Sequence, residues 1–65
     1  MIEKIIIALN GEIERLMRDH AKKTARADKV KDNPESHNYY AKHAKMIGDR
    51  IKHYKDLINF LEQNL

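Results

Sequence analysis

From Tyr40 to the end of the chain, apolar and small residues recur in steps of four and three: Tyr40, Ala44, Ile47, Ile51, Tyr54, Ile58, Leu61 and Leu65. One step of each makes seven residues, close to two turns of α-helix, so the series forms one stripe along a single helix. Similar steps run through the first half as Ile2, Ile6, Leu9, Ile13, Leu16, His20, Thr24 and Ala27. Their phase passes through Asn10-Gly11, a pair that ordinarily marks a tight turn. At about 100° per residue Gly11 falls nearly opposite the stripe, where a helix carries it at a cost of about 1 kcal/mol relative to Ala. The run Ile5-Ile6-Ile7-Ala8-Leu9 also lacks the polar alternation of a half-buried strand. The pattern predicts one continuous helix over about residues 2–30, with Gly11 a point where it can bend.

Between the two series lies Lys31-Asp32-Asn33-Pro34-Glu35-Ser36, which has no aliphatic or aromatic side chain except the ring of the sole proline. Asn33 is a good N-cap, Pro34 suits the first helical position, and Glu35 complements the positive end of a helix dipole. Proline also disfavours helical geometry at the residue before it, which ends the first element. A connector at 31–33 and a second helix over about 34–63 follow. So short a link makes the helices antiparallel neighbours, with residue i near residue 66 − i. The fold class expected is all-α: one helical-hairpin domain over residues 1–65.

A hairpin of this length does not cover its own apolar residues. At the end away from the connector, Ile5, Ile6, Ile7, Ala8 and Leu9 on one helix and Leu57, Ile58, Phe60 and Leu61 on the other span an arc wider than one partner helix covers. A chain of 65 residues buries only about 60% of its unfolded surface and needs a staple. With no cysteine, a disulfide and a thiolate metal site are excluded. Self-association covers the excess, and docking of the apolar patch on a different protein is the alternative. The expectation is a homo-oligomer, a two-fold dimeric four-helix bundle, with Ile5, Ile6, Leu9, Leu57, Phe60 and Leu61 at its interface.

Charge changes the picture on the first helix. The formal net charge is +3, but residues 1–14 carry −2, residues 15–50 carry +5 and residues 51–65 carry none. Within the basic part, Arg15, Arg18, Lys22, Arg26 and Lys29 follow spacings of three, four, four and three. These spacings place five cations on one face opposite the apolar stripe, with Asp19 at its border. The outer face of the second helix instead alternates in sign through Lys42, Lys45, Asp49, Lys52 and Asp56, as solvated helix surfaces do. An uncompensated cationic face attracts polyanions. The partner expected is an acidic protein surface or a nucleic acid gripped through its backbone, since no base-reading motif is present.

Catalysis and metal chemistry have little support. Thr24 and Ser36 are the only aliphatic hydroxyls, and neither a Gly-rich phosphate loop nor a nucleophile elbow occurs. His20, on the apolar stripe, is expected near His43 and Met46. The two histidines are the only candidate metal ligands, and they lack an HExxH pair or a carboxylate on the same face. Tyr39, Lys42 and His43, beside the connector, are candidates for holding a small anionic ligand. No cofactor is expected. No run of about 18 apolar residues is present to span a membrane. The opening Met1-Ile2-Glu3-Lys4 lacks the form of a secretory signal, so a cytoplasmic protein is expected.

One segment offers a different fold. KIIIALNGEIERLMRDHAKK, residues 4–23, resembles the strand and first helix of ribbon-helix-helix DNA-binding dimers. The resemblance implies two chains pairing as a ribbon through residues 4–9. The helical reading implies instead a small non-enzymatic regulator or inhibitor that acts by binding a macromolecule.

Overall fold

The computed structural model describes all 65 residues. It contains two α-helices, α1 over Ile2–Lys29 and α2 over Pro34–Glu62, and no strand. They pack against each other as a hairpin. α1 runs through Asn10 and Gly11 without a break, and no residue has a positive φ. The ribbon reading of residues 4–9 is therefore overturned: those residues are helical. The reason is the periodicity. Ile6, Leu9, Ile13 and Leu16 reach a common partner only if the backbone between them is helical.

The turn between the helices is built by short-range hydrogen bonds. The Asn33 N–H donates to the Val30 carbonyl at 2.9 Å. Asn33 then caps α2, its side-chain oxygen accepting from the Ser36 N–H at 3.2 Å, with Pro34 in the first turn where its missing N–H is harmless. One link was not legible in the sequence. His37 Nδ1–H donates to the Ala27 carbonyl at 2.8 Å, satisfying one of the carbonyls left open at the end of α1. The bond ties the last turn of one helix to the first turn of the next.

The core is thin. Only Ile13, Leu16, Ala27, Ala44 and Ile58 are buried, while Ile6, Leu9, Ile47, Ile51, Tyr54 and Leu61 are half-buried along the same seam. On α1 the seam departs from the expected series beyond His20. Lys23 is half-buried and Thr24 is exposed. Alternating steps of four and three lead from Leu16 to His20, Lys23, Ala27 and Val30, whereas two successive steps of four turn the stripe away from the partner. The aliphatic stem of Lys23 can lie along the seam with its ammonium in water. Ile7 does not flank the seam as the crowded apolar run implied. It lies about 160° from it and is exposed.

Gly48 stands at the seam's edge, half-buried beside His20. A Cβ there would meet the His20 ring at 3.7 Å, an ordinary contact, and a Cβ on Gly11 would meet nothing within 4 Å. Gly11→Ala and Gly48→Ala are each expected to stabilise the hairpin by about 1 kcal/mol, raising Tm by about 4–8 °C. Thermal melts followed by circular dichroism check this. A lower Tm for Gly48→Ala would mean that something packs on that glycine in solution.

Candidate anion-binding face and apolar end

The cations of α1 occupy its outward face, and the structure distinguishes one of them from the rest. Arg15 reaches back one turn to Glu12. Its Nε donates to one carboxylate oxygen at 3.2 Å, and a terminal nitrogen donates to the other. That hydrogen-bonded pairing, with a smaller contribution from Arg50, holds the Glu12 carboxyl below the ordinary glutamate value, and it raises Arg15 in turn. A lowered carboxyl contributes stability above its unfolded pKa, and loses that contribution as pH falls through the lowered value. Both side chains face solvent, so this is a minor contribution to stability. Its importance is to local charge, because Arg15 is already neutralised.

Arg18, Lys22, Arg26 and Lys29 make no ion pair; the hairpin's ion pairs are Met1–Glu3, Glu12–Arg15 and Lys45–Asp49. Four cations, rather than the five expected, therefore present free charge over 12 residues of α1, a rise of about 17 Å from first to last.

At the connector end this face borders a cleft. Lys22, Lys23, Arg26 and Lys29 line a cavity of about 480 Å³ together with Tyr39 and Tyr40. The Arg26 guanidinium carbon lies 6.0 Å from the centre of the Tyr40 ring, within the range of a cation–π contact. Tyr39 packs edge-on to Tyr40, with centroids 5.2 Å apart and planes at 87°, and lies 4.5 Å from the His43 ring. Of the three residues expected around a small anionic ligand, Tyr39 lines this cavity. His43 supports Tyr39 from the next turn and lines a neighbouring cleft, and Lys42 points to solvent away from both. The cations nearest Tyr39 come from α1 instead, a juxtaposition that spacing along α2 does not reveal.

The histidines part company. His20 lines a groove with Met17, Gly48, Ile51 and Lys55, while His43 lines a different one with Asp19, Lys23 and Met46. The expected approach of His20 to His43 is thus corrected: the ring of His20 faces Gly48, the one position on α2 where no side chain fills the space. No group of three metal-binding side chains gathers anywhere in the hairpin.

The opposite end is apolar. Ile5, Leu57 and Phe60 are exposed, whereas Ile6, Leu9 and Leu61 are half-buried within the hairpin itself. Tyr39, Met46 and Leu57 are separated by seven and eleven residues, near two and three full turns, so they share one side of α2. All three are exposed. No helix is long and apolar enough to cross a membrane. Comparison with known protein families, curated proteins and solved structures found no match to this chain.

Proposed function

We propose that this chain is a non-enzymatic binding protein that pairs with a second copy through its apolar end and engages an anionic macromolecule through α1. The observation that carries the reading is the separation of the two features on one narrow rod. The hairpin measures 49 × 15 × 10 Å. Its apolar excess lies at the open end and its four unpaired cations lie toward the connector. A partner copy at one end leaves the other free.

Surface area supports the pairing. The hairpin exposes 5288 Å², whereas a compact monomer of 7.7 kDa exposes about 4,300 Å². Its radius of gyration is 14.9 Å, against about 11 Å for a compact domain of this length. The surplus of about 1,000 Å² is comparable to the roughly 800 Å² that each partner buries in a stable dimer. An anionic partner suits the cation face because neutralising four phosphates releases their counterions and makes affinity steeply dependent on salt.

Titration with random-sequence duplex DNA and with heparin tests the cationic half of the proposal. With four contacts per hairpin, DNA affinity is expected to fall about a hundredfold between about 50 and 200 mM salt. Glu12→Gln frees Arg15 and is expected to steepen the slope of log affinity against log salt by about one unit. Absence of binding to both polyanions at low salt counts against the proposal, as does binding that salt leaves unchanged.

A further inference from the structure

The connector-end cleft combines two chemistries that a merely solubilising face has no reason to bring together. One is concentrated positive charge: Lys22, Lys23, Arg26 and Lys29 line it, and no Asp or Glu does. The other is an exposed aromatic surface. Tyr39 is 58% exposed, although its neighbours hold its ring in place through the edge-on contact with Tyr40 and the tilted contact with His43. A ring already held in one orientation loses little freedom when a ligand stacks on it. The cavity volume of about 480 Å³ lies within the usual range for small-ligand sites.

Phosphate and a flat π-system in one ligand describe a nucleotide unit. The base faces of a duplex are stacked inside the helix, so only an unpaired base can lie against Tyr39. The cations also continue beyond the cavity. Arg18 stands outside the lining, four residues before Lys22 and on the same face, about 6 Å further along the axis. A ligand that uses Arg18 as well as the cleft carries more than one phosphate and extends along α1.

We propose that this cleft binds single-stranded nucleic acid, with a base stacked on Tyr39 and successive phosphates on Lys29, Arg26, Lys22 and Arg18. The proposal rests on the reading of α1 as an anion-binding face and names the ligand class. It separates two roles. The lysines and arginines supply affinity that any polyanion shares, and Tyr39 supplies preference for unpaired strands. Cations and aromatic rings divide the work in this way wherever single strands are bound without base readout.

The test uses fluorescence anisotropy with labelled oligo(dT) and oligo(U) of about 12 nucleotides, within the range of known single-strand sites, a duplex of the same length, and heparin. The wild-type protein is expected to bind the single strands more tightly than the duplex at equal salt. Tyr39→Ala is expected to weaken single-strand binding about tenfold or more and to leave duplex and heparin binding unchanged. Tyr39→Phe is expected to keep the wild-type preference, because stacking needs the ring and not the hydroxyl. A far-UV circular dichroism melt of Tyr39→Ala, expected to remain helical and cooperative at the assay temperature, shows that the variant hairpin is folded. If single strands and duplex bind equally and Tyr39→Ala affects neither, the inference falls while the anion-binding reading stands. If none of the polyanions binds, both fall. If ATP displaces the oligonucleotide with the same affinity as unlabelled oligo(dT), the site holds free nucleotides and the proposal for a strand is overturned.

Discussion

Leu16→Ala is expected to abolish cooperative melting or to lower Tm by more than about 10 °C. Leu16 is the most buried side chain of the hairpin, at 2% exposure, in a core of five residues. Truncating a buried leucine costs about 2–5 kcal/mol, because the transfer free energy is lost and the space collapses only in part. At typical values per residue, a chain of this size has about 3–10 kcal/mol of stability. The substitution therefore removes between about a fifth and all of the total, and each kcal/mol shifts Tm by about 4–8 °C in a domain this small. Met17, the next residue, is 53% exposed, and Met17→Ala is expected to stay within about 0.5 kcal/mol of wild type. Far-UV circular dichroism melts compare the two. If both variants melt within a few degrees of wild type, the seam does not run through Leu16.

The second large effect is on assembly. Replacing Leu57 and Phe60 together by Asp is expected to convert the proposed dimer, of twice 7.7 kDa, into a monomer at micromolar concentration. Leu57 is 39% exposed and Phe60 is 61% exposed in the isolated hairpin, so pairing has only that remainder left to bury. Full burial of such side chains contributes about 1.5–3 kcal/mol, so about 1 kcal/mol each is a fair share here. Two-fold symmetry counts every residue twice, which brings the loss to about 4 kcal/mol, or nearly a thousandfold in Kd. Four carboxylates brought into an apolar contact weaken it further.

Ile7→Asp is the matching control. Ile7 is also exposed, but it lies on the far side of α1, and the dimer mass is expected to persist. Light scattering reads the masses directly. The wild-type Tm is also expected to rise with protein concentration, as it does whenever folding is linked to association. A wild-type protein that scatters as a 7.7 kDa particle at high micromolar concentration ends the dimer proposal. If Ile7→Asp gives a monomer instead, a different face mediates the pairing.

Much of the architecture was readable from local signals. The helix of residues 2–29 declared itself through Ile6, Leu9, Ile13 and Leu16, whose period overrode the turn signal of Asn10-Gly11. Asn33-Pro34 marked the start of α2 because a capping amide and a proline each serve a specific backbone need there. The proposed anion-binding face was readable in part. The spacing of Arg18, Lys22, Arg26 and Lys29 placed them together on a helix surface. The same spacing did not show that Arg15 belongs to Glu12, because a pairing of i with i+3 competes with the stripe only once the side chains take their rotamers. The available signal was the Glu at i−3, at pairing distance on any helix. Lys23 was missed because the stripe was followed through two steps of four, and a lysine at a seam position carries no apolar label.

By itself the sequence determined that there are two helices, where the break between them falls, and which residues share a face on each. These follow from period and capping, which act within one or two turns. Only the tertiary structure decided what meets across the gap: His20 against Gly48 rather than His43, the His37 ring on the Ala27 carbonyl, and the α1 cations beside Tyr39 and Tyr40. Those meetings depend on the rotation of each helix about its own axis and on the register of one against the other. A shift of one residue turns a side chain by about 100° and changes every neighbour. Packing of Leu16, Ala27, Ala44 and Ile58 settles that rotation for the hairpin as a whole, and no stretch of the chain encodes it alone.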